Sequence, residues 1–237
     1  MIEVIPAILT DSSLKFKELL LKLEPYTTRV HVDIADGVFV PNTTIKGYDE
    51  IKEIESAVKF DVHLMVQRPQ DNLKEWFYTH ADRFIVHVES ETDIGDVVKK
   101  LKEHKRKVGL ALNPETSIEK IEPYLPRTSR SKASGKPVNS YVSRSKASGD
   151  GIDFVQFLTV HPGFQGGEFV SGVLDKVREF HKKYPKIPIA VDGSMHVETA
   201  KLAVSAGASI IVVGGHILFE NKGVEDSIRE LKEACTT

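Results

Sequence analysis

Three stretches of the chain carry histidine and aspartate where a buried strand would normally carry aliphatic residues: HVDIADG (31–37), FDVHLMV (60–66) and IAVDGSM (189–195). Residues two apart on an extended strand share a face. His31 and Asp33 therefore project together, as do Asp61 and His63, while Asp192 stands directly before a glycine. If His31, Asp33, His63 and Asp192 converge, they form a set of two imidazoles and two carboxylates. Such a set suits one divalent ion, Zn, Fe, Co or Mn, and ligand softness does not choose among them. Taken singly, a strand histidine is more simply a hydrogen-bonded core residue. His87, in RFIVHVE, is read that way. The metal reading requires the four to meet in one place.

A second group of residues points to an anion. Glycine-bearing turns occur in HPGFQGGEF (161–169), VDGS (191–194) and VVGGH (212–216). Glycine lets backbone N–H groups come close to a phosphate, and a following helix N-terminus adds a favourable dipole. One such turn needs no explanation beyond a tight connection. Three in succession favour a phosphate site.

The elements that must position these groups alternate along the chain. Strand-like runs are EVIPAIL (3–9), RVHVDIA (29–35), FDVHLMV (60–66), RFIVHVE (83–89), KVGLALN (107–113), FVQFLTV (154–160), IPIAVDG (187–193) and SIIVVGG (209–215). Between and after them lie SLKFKELLLKLEP, YDEIKEIESAV, QDNLKEWFYTHA, DIGDVVKKLKEHK, SIEKIEPYL, GVLDKVREFHKKY, VETAKLAVSAG and VEDSIRELKEA. Most of these show helical apolar spacing with charge on the other face. Strands separated by helices imply parallel pairing, and eight such units predict an α/β fold, a closed (β/α)8 TIM barrel. A doubly wound open sheet is the competitor, but no N-terminal GxGxxG is present. In the barrel, catalytic groups sit at the C-terminal ends of the strands, and phosphate is commonly held after strands seven and eight.

The chain has 237 residues, enough for a single barrel spanning 1–237. Its formal net charge of -2, with both signs interspersed, argues against nucleic acid and a membrane surface as partners. No apolar run is long enough to span a bilayer, and no basic region precedes MIEVIPAIL, so a cytoplasmic protein is expected. The single cysteine, Cys235, excludes an intrachain disulfide framework. One segment breaks the rhythm. Residues 128–151, rich in Ser, Lys, Arg and Gly, repeat SRSKASG at 129–135 and 143–149. This reads as a duplication or an engineered insertion, or else as a natural low-complexity loop. A flexible loop on the face away from the chemistry is expected.

PAIL (6–9), HVDIADGVFVPN (31–42), DVHLMV (61–66), ALNPET (111–116), TVHPGFQGGEF (159–169), VDGS (191–194) and VVGGHIL (212–218) together resemble the successive motifs of ribulose-phosphate 3-epimerases. The resemblance runs in order over nearly the whole chain and implies a TIM barrel of the ribulose-phosphate-binding type. It implies one divalent metal ion held by His31, Asp33, His63 and Asp192, with Asp33 and Asp192 as the acid/base pair. It also implies that His63, Met65, Gly163, Phe164, Gln165, Gly166, Gly193, Ser194, Gly214 and Gly215 contact the substrate and its phosphate. The implied reaction moves the C3 proton between D-ribulose 5-phosphate and D-xylulose 5-phosphate. Inversion beside a carbonyl needs a proton removed from one face and returned on the other, and a bound metal would stabilise the enediolate. The expected partners are a small sugar phosphate and further copies of the chain in a homo-oligomer.

Departures from the family pattern stand beside the likeness. Ala7 replaces the serine of the first-strand motif. Ala35 and Leu158 replace two methionines, leaving Met65, and the phosphate-loop order GFGGQ reads GFQGG. These changes leave open a six-carbon ketose phosphate as substrate. They also leave open a weakly active or inactive barrel, engineered or natural, that serves as an assembly scaffold. A decarboxylase of the same barrel type would carry a DxKxxD constellation, and the chain shows none.

Overall fold

Ser12 caps the first helix by accepting the Lys15 N–H at 3.3 Å, and Phe16, Leu19, Leu20 and Leu23 then recur at the spacing that puts them on one buried face. The same logic repeats around the molecule: apolar helix faces pack on the outside of a sheet whose own outward residues are Val, Ile, Leu and Phe. In the computed structural model, which describes residues 2–126, 151–163 and 166–236, the chain is a (β/α)8 barrel.

The strands are β1 (Glu3–Ile8), β2 (Arg29–Ala35), β3 (Lys59–Met65), β4 (Arg83–His87), β5 (Lys107–Leu112), β6 (Phe154–Leu158), β7 (Ile189–Asp192) and β8 (Ile210–Val213). All pair in parallel in sequence order, and β1 pairs with β8 through Glu3↔Ile210 to Pro6↔Val213, which closes the barrel and excludes the open sheet. The α-helices are α1 (Ser13–Leu23), α2 (Tyr48–Glu53), α3 (Leu73–Phe77), α4 (Ile94–Glu103), α5 (Val173–Lys183), α6 (Val197–Ala206), α7 (Gly215–Leu218) and α8 (Val224–Ala234).

The structure differs from the sequence-based expectation in three places. SIEKIEPYL forms two short 3-10 turns, Ile118–Lys120 and Glu122–Tyr124, instead of an α-helix. Pro123 has no N–H to give to an α-helical ladder. QDNLKEWFYTHA divides into a 3-10 turn, Pro69–Asn72, and the short α3. A one-turn helix, α7, follows β8 where none is expected. The repeated SRSKASG segments lie outside the described residues. Among the described residues, no helix is long and apolar enough to cross a membrane.

Inside the barrel a separate apolar group, including Ile5, Ile85, Ala111, Phe154 and Ile210, fills the middle. Gly109 is required there, because a Cβ at that position would lie 2.5 Å from the Phe154 ring. Below this plug, at the N-terminal end of the strands, Asp61 is clamped by two guanidinium groups. Arg29 pairs with it directly, and Arg83 Nη1 lies 3.3 Å from its other oxygen. Asp61 shares a strand face with His63 but lies two residues nearer the N-terminal end of β3, opposite His31. A buried carboxylate is tolerated there because it is paired.

Candidate metal centre

At the C-terminal ends of the strands, β2, β3 and β7 bring four side chains together. The β2–β3 register places Asp33 opposite His63, and β7 ends on Asp192. One ligand atom from each of His31, Asp33, His63 and Asp192 lies within 4.8 Å of all the others. Their separations are 3.2 Å for His31 Nε2 to Asp33 Oδ1, 3.7 Å for His31 Nε2 to Asp192 Oδ2, 2.8 Å for His63 Nδ1 to Asp33 Oδ1 and 3.6 Å for His63 Nδ1 to Asp192 Oδ2. Ligands about 2.1 Å from a tetrahedral ion would be about 3.4 Å apart. The four residues fit a divalent cation in donor type and in spacing. His31 supports the fit further: its buried Nδ1 has no hydrogen-bond partner among the described residues, and its Nε2 meets only the two carboxylates. Such a group is costly unless something else satisfies it.

The local electrostatics separate the two carboxylates. Burial raises Asp192, and the nearby Asp33 charge raises it further, to about 6. Burial also acts to raise Asp33, but His31 and His63 outweigh it and hold that carboxyl well below the usual range. Burial acts to lower His31, but Asp33 and Asp192 prevail and lift it to about 9. Gln156, on β6, donates Nε2–H to Asp192 Oδ2 at 3.0 Å. Thr159 Oγ1 donates to the Asp192 and Gly193 carbonyls at 3.0 and 2.6 Å, fixing the end of β7.

Behind His63 stands His87, fully buried on β4, with its Nε2 2.9 Å from His63 Nε2. Its Nδ1 lies 3.1 Å from Glu89 Oε2, and Glu89 Oε1 accepts the Asn113 N–H at 2.9 Å. Burial pushes His87 down to about 4, which leaves the ring neutral. His87 is thus a hydrogen-bonded core residue, as the sequence suggested, but one joined to the cluster through His63. The available signal was Glu89, two residues on and therefore on the same strand face. Asp36, the other aspartate of HVDIADG, takes no part in the cluster. It staples the loop after β2, accepting from Val38 and Phe39 N–H at 2.9 and 2.8 Å and from Gln67 N–H at 2.7 Å.

A cavity of about 380 Å³ opens beside the four residues. Asp33, His63, Met65 and Asp192 line one part of it, and Gly163, Gly166, Gly193, Ser194, Gly214 and Gly215 line another. His31 lies beneath, nearly inaccessible. Phe164 and Gln165 fall outside the described residues. Ala7 and Leu158 also face the cavity, while Ala35 packs with Val40 and Met65 at its rim. Gly193 has φ +114°, and a Cβ there would come 2.6 Å from Val160, so the exit of β7 demands glycine. Ser194 keeps a positive φ of 48°, an uncommon conformation for a residue with a side chain, and its hydroxyl donates to the Gly167 carbonyl. That bond ties the loops after β6 and β7 together. His196 and His216 also border the cavity, and sequence reasoning did not single them out.

A family model described as the ribulose-phosphate 3 epimerase family matches residues 3–129 and 138–218, breaking inside the repeated segment. The chain is 32% identical over 191 residues to "Ribulose-phosphate 3-epimerase, cytoplasmic isoform" of Oryza sativa subsp. japonica, covering 79% of this chain and 74% of the relative. It is 30% identical over 217 residues to "Ribulose-phosphate 3-epimerase" of Treponema pallidum, covering 88% of each. Among solved structures, a 3-hexulose-6-phosphate synthase from Salmonella typhimurium superposes with a TM-score of 0.68 at 13% identity, covering 99% of this chain and 98% of that one. An orotidine 5'-monophosphate decarboxylase from Sulfolobus solfataricus gives 0.59 at 14% identity, covering 100% and 98%. At such identities the likeness is one of fold.

Proposed function

The chain belongs to the ribulose-phosphate 3-epimerase family, and from that premise we propose that it inverts C3 of a ketose phosphate, interconverting D-ribulose 5-phosphate and D-xylulose 5-phosphate. The observation that carries the reading is the meeting of His31, Asp33, His63 and Asp192 at the mouth of the barrel, beside a cavity edged by glycine turns. Asp33 and Asp192 line the cavity from β2 and β7, two strands that are not neighbours in the barrel. One carboxylate takes the C3 proton, and the other, protonated, returns one to the opposite face. Proton affinities pushed apart by environment are what such a pair requires. When bound at His31, Asp33, His63 and Asp192, a divalent ion of the Zn, Fe, Co or Mn kind supplies Lewis-acid stabilisation of the charge that develops on the substrate oxygens. Backbone N–H groups around Gly163, Gly166, Gly193, Ser194, Gly214 and Gly215 hold the phosphate in this reading, and contacts from Phe164 and Gln165 are proposed on the family resemblance alone. Met65, on the cavity wall, contacts the substrate in this reading.

A six-carbon ketose phosphate is the second reading, favoured by the small side chain of Ala7 on the cavity wall. The test is exchange of the C3 proton in D₂O, with metal-loaded protein and either ketose phosphate. Exchange with the five-carbon substrate supports the first reading, and exchange with the six-carbon substrate alone supports the second. Bound metal with exchange of neither substrate leaves the barrel as a scaffold.

A further inference from the structure

His87 and Glu89 belong to neither the proposed ligand set nor the proposed acid/base pair, yet they form an uninterrupted hydrogen-bond line to His63. The line can be assigned proton by proton. Glu89 Oε1 already accepts the Asn113 N–H, and an ionised carboxylate can only accept, so the 3.1 Å contact at Glu89 Oε2 requires the hydrogen on His87 Nδ1. A neutral imidazole carries one N–H. His87 Nε2 is therefore a bare lone pair, and the 2.9 Å contact between the two Nε2 atoms requires the hydrogen on His63. His63 Nδ1, 2.8 Å from Asp33 and 3.6 Å from Asp192, faces the centre of the cluster, where it donates to a carboxylate until a bound cation takes the place of that hydrogen. The rings of His63 and His87 also stack, 5.0 Å apart at 20°, and Phe39 packs against His87 at 4.7 Å, so the line cannot easily swing away. His31 has no such support, since its Nδ1 is buried without a hydrogen-bond partner among the described residues.

The geometry points to Glu89 and His87 as positioning residues that lock His63 in the Nε2–H tautomer and aim its Nδ1 lone pair at the cation. This rests on the metal reading above. A histidine ligand commonly donates its other N–H to an acceptor behind it, and loss of that acceptor typically weakens metal binding about 10–100-fold. Here the acceptor is a second imidazole, oriented in turn by a carboxylate that also holds the end of β5.

Two substitutions separate tautomer control from packing. His87→Phe keeps a ring of similar size and removes the acceptor. His87→Gln loses the ring but offers an amide oxygen to His63. Co²⁺ is titrated into metal-stripped protein against a chelating indicator, and its visible absorption is recorded. His87→Phe is expected to bind Co²⁺ about 10–100-fold more weakly than wild type, whereas His87→Gln stays within about threefold. Equal binding by wild type and His87→Phe, or a loss confined to His87→Gln, overturns the proposal. A wild type that binds no Co²⁺ overturns the metal reading itself and the relay with it. Long-range ¹H–¹⁵N correlation spectra of zinc-loaded wild type provide a check that depends on no variant. The expected protons are on His63 Nε2 and His87 Nδ1, and a spectrum with His87 protonated at Nε2 refutes the assignment.

Discussion

Stripping metal from the protein and adding it back should move thermal stability in a way that the geometry of His31 sets in advance. A ligand that binds only the folded state adds about 2.7 kcal/mol at a concentration of 100 Kd. For a chain of this size each kcal/mol shifts Tm by about 2–4 °C, which predicts a rise of roughly 5–11 °C. The rise should depend on pH with a definite sign. Without metal, His31 is held protonated up to about pH 9 by Asp33 and Asp192, which outweigh its burial. The cation must displace that proton, so apparent affinity should climb by up to about tenfold per pH unit on the way to pH 9. Below about pH 6 a second proton, on Asp192, steepens the dependence. The metal-free protein should run the other way. A histidine whose folded pKa is raised stabilises fully below its unfolded value of about 6.5, and that contribution is lost as pH approaches 9. The assay is differential scanning fluorimetry of chelator-treated protein across pH 6–9, with Zn, Fe, Co and Mn, on wild type and His31→Leu. An unchanged metal-induced shift in His31→Leu, or a shift independent of pH, refutes the reasoning.

Ala7→Ser places a hydroxyl on the cavity wall beside β2, where Ala7 pairs with His31. If it gains one hydrogen bond to the transition state, kcat/KM for C3 exchange rises about tenfold. Gly109→Ala puts a Cβ 2.5 Å from the Phe154 ring, and chemical denaturation should show a loss of about 1–3 kcal/mol that Phe154→Leu partly restores. Asp61→Ala removes one carboxylate from Arg29 and Arg83, which keep Asp82 and Glu3 as partners, and should cost about 1–3 kcal/mol by urea titration.

Much of the architecture was legible in local pattern. RVHVDIA marks β2 residue for residue, and its period-two alternation already put His31 and Asp33 on one face. Ser12 announced α1, and VEDSIRELKEA matches α8 from end to end. The four candidate ligands could be chosen because polar residues inside apolar strand runs are expensive and therefore conspicuous. Pattern could not decide which polar residues share a layer. Asp61 and His63 look alike in sequence, but two residues of strand span about 6.6 Å. That distance sends one to Arg29 and Arg83 at the barrel floor and the other to Asp33 at its mouth. The role of His87 depends on β4 lying beside β3 in one particular register, and that of Gln156 on β6 lying beside β7. Strand periodicity is a property of each segment by itself and survives in a one-dimensional string. Register and closure arise from packing among all eight strands at once, so the meeting of their ends existed only after the barrel had formed.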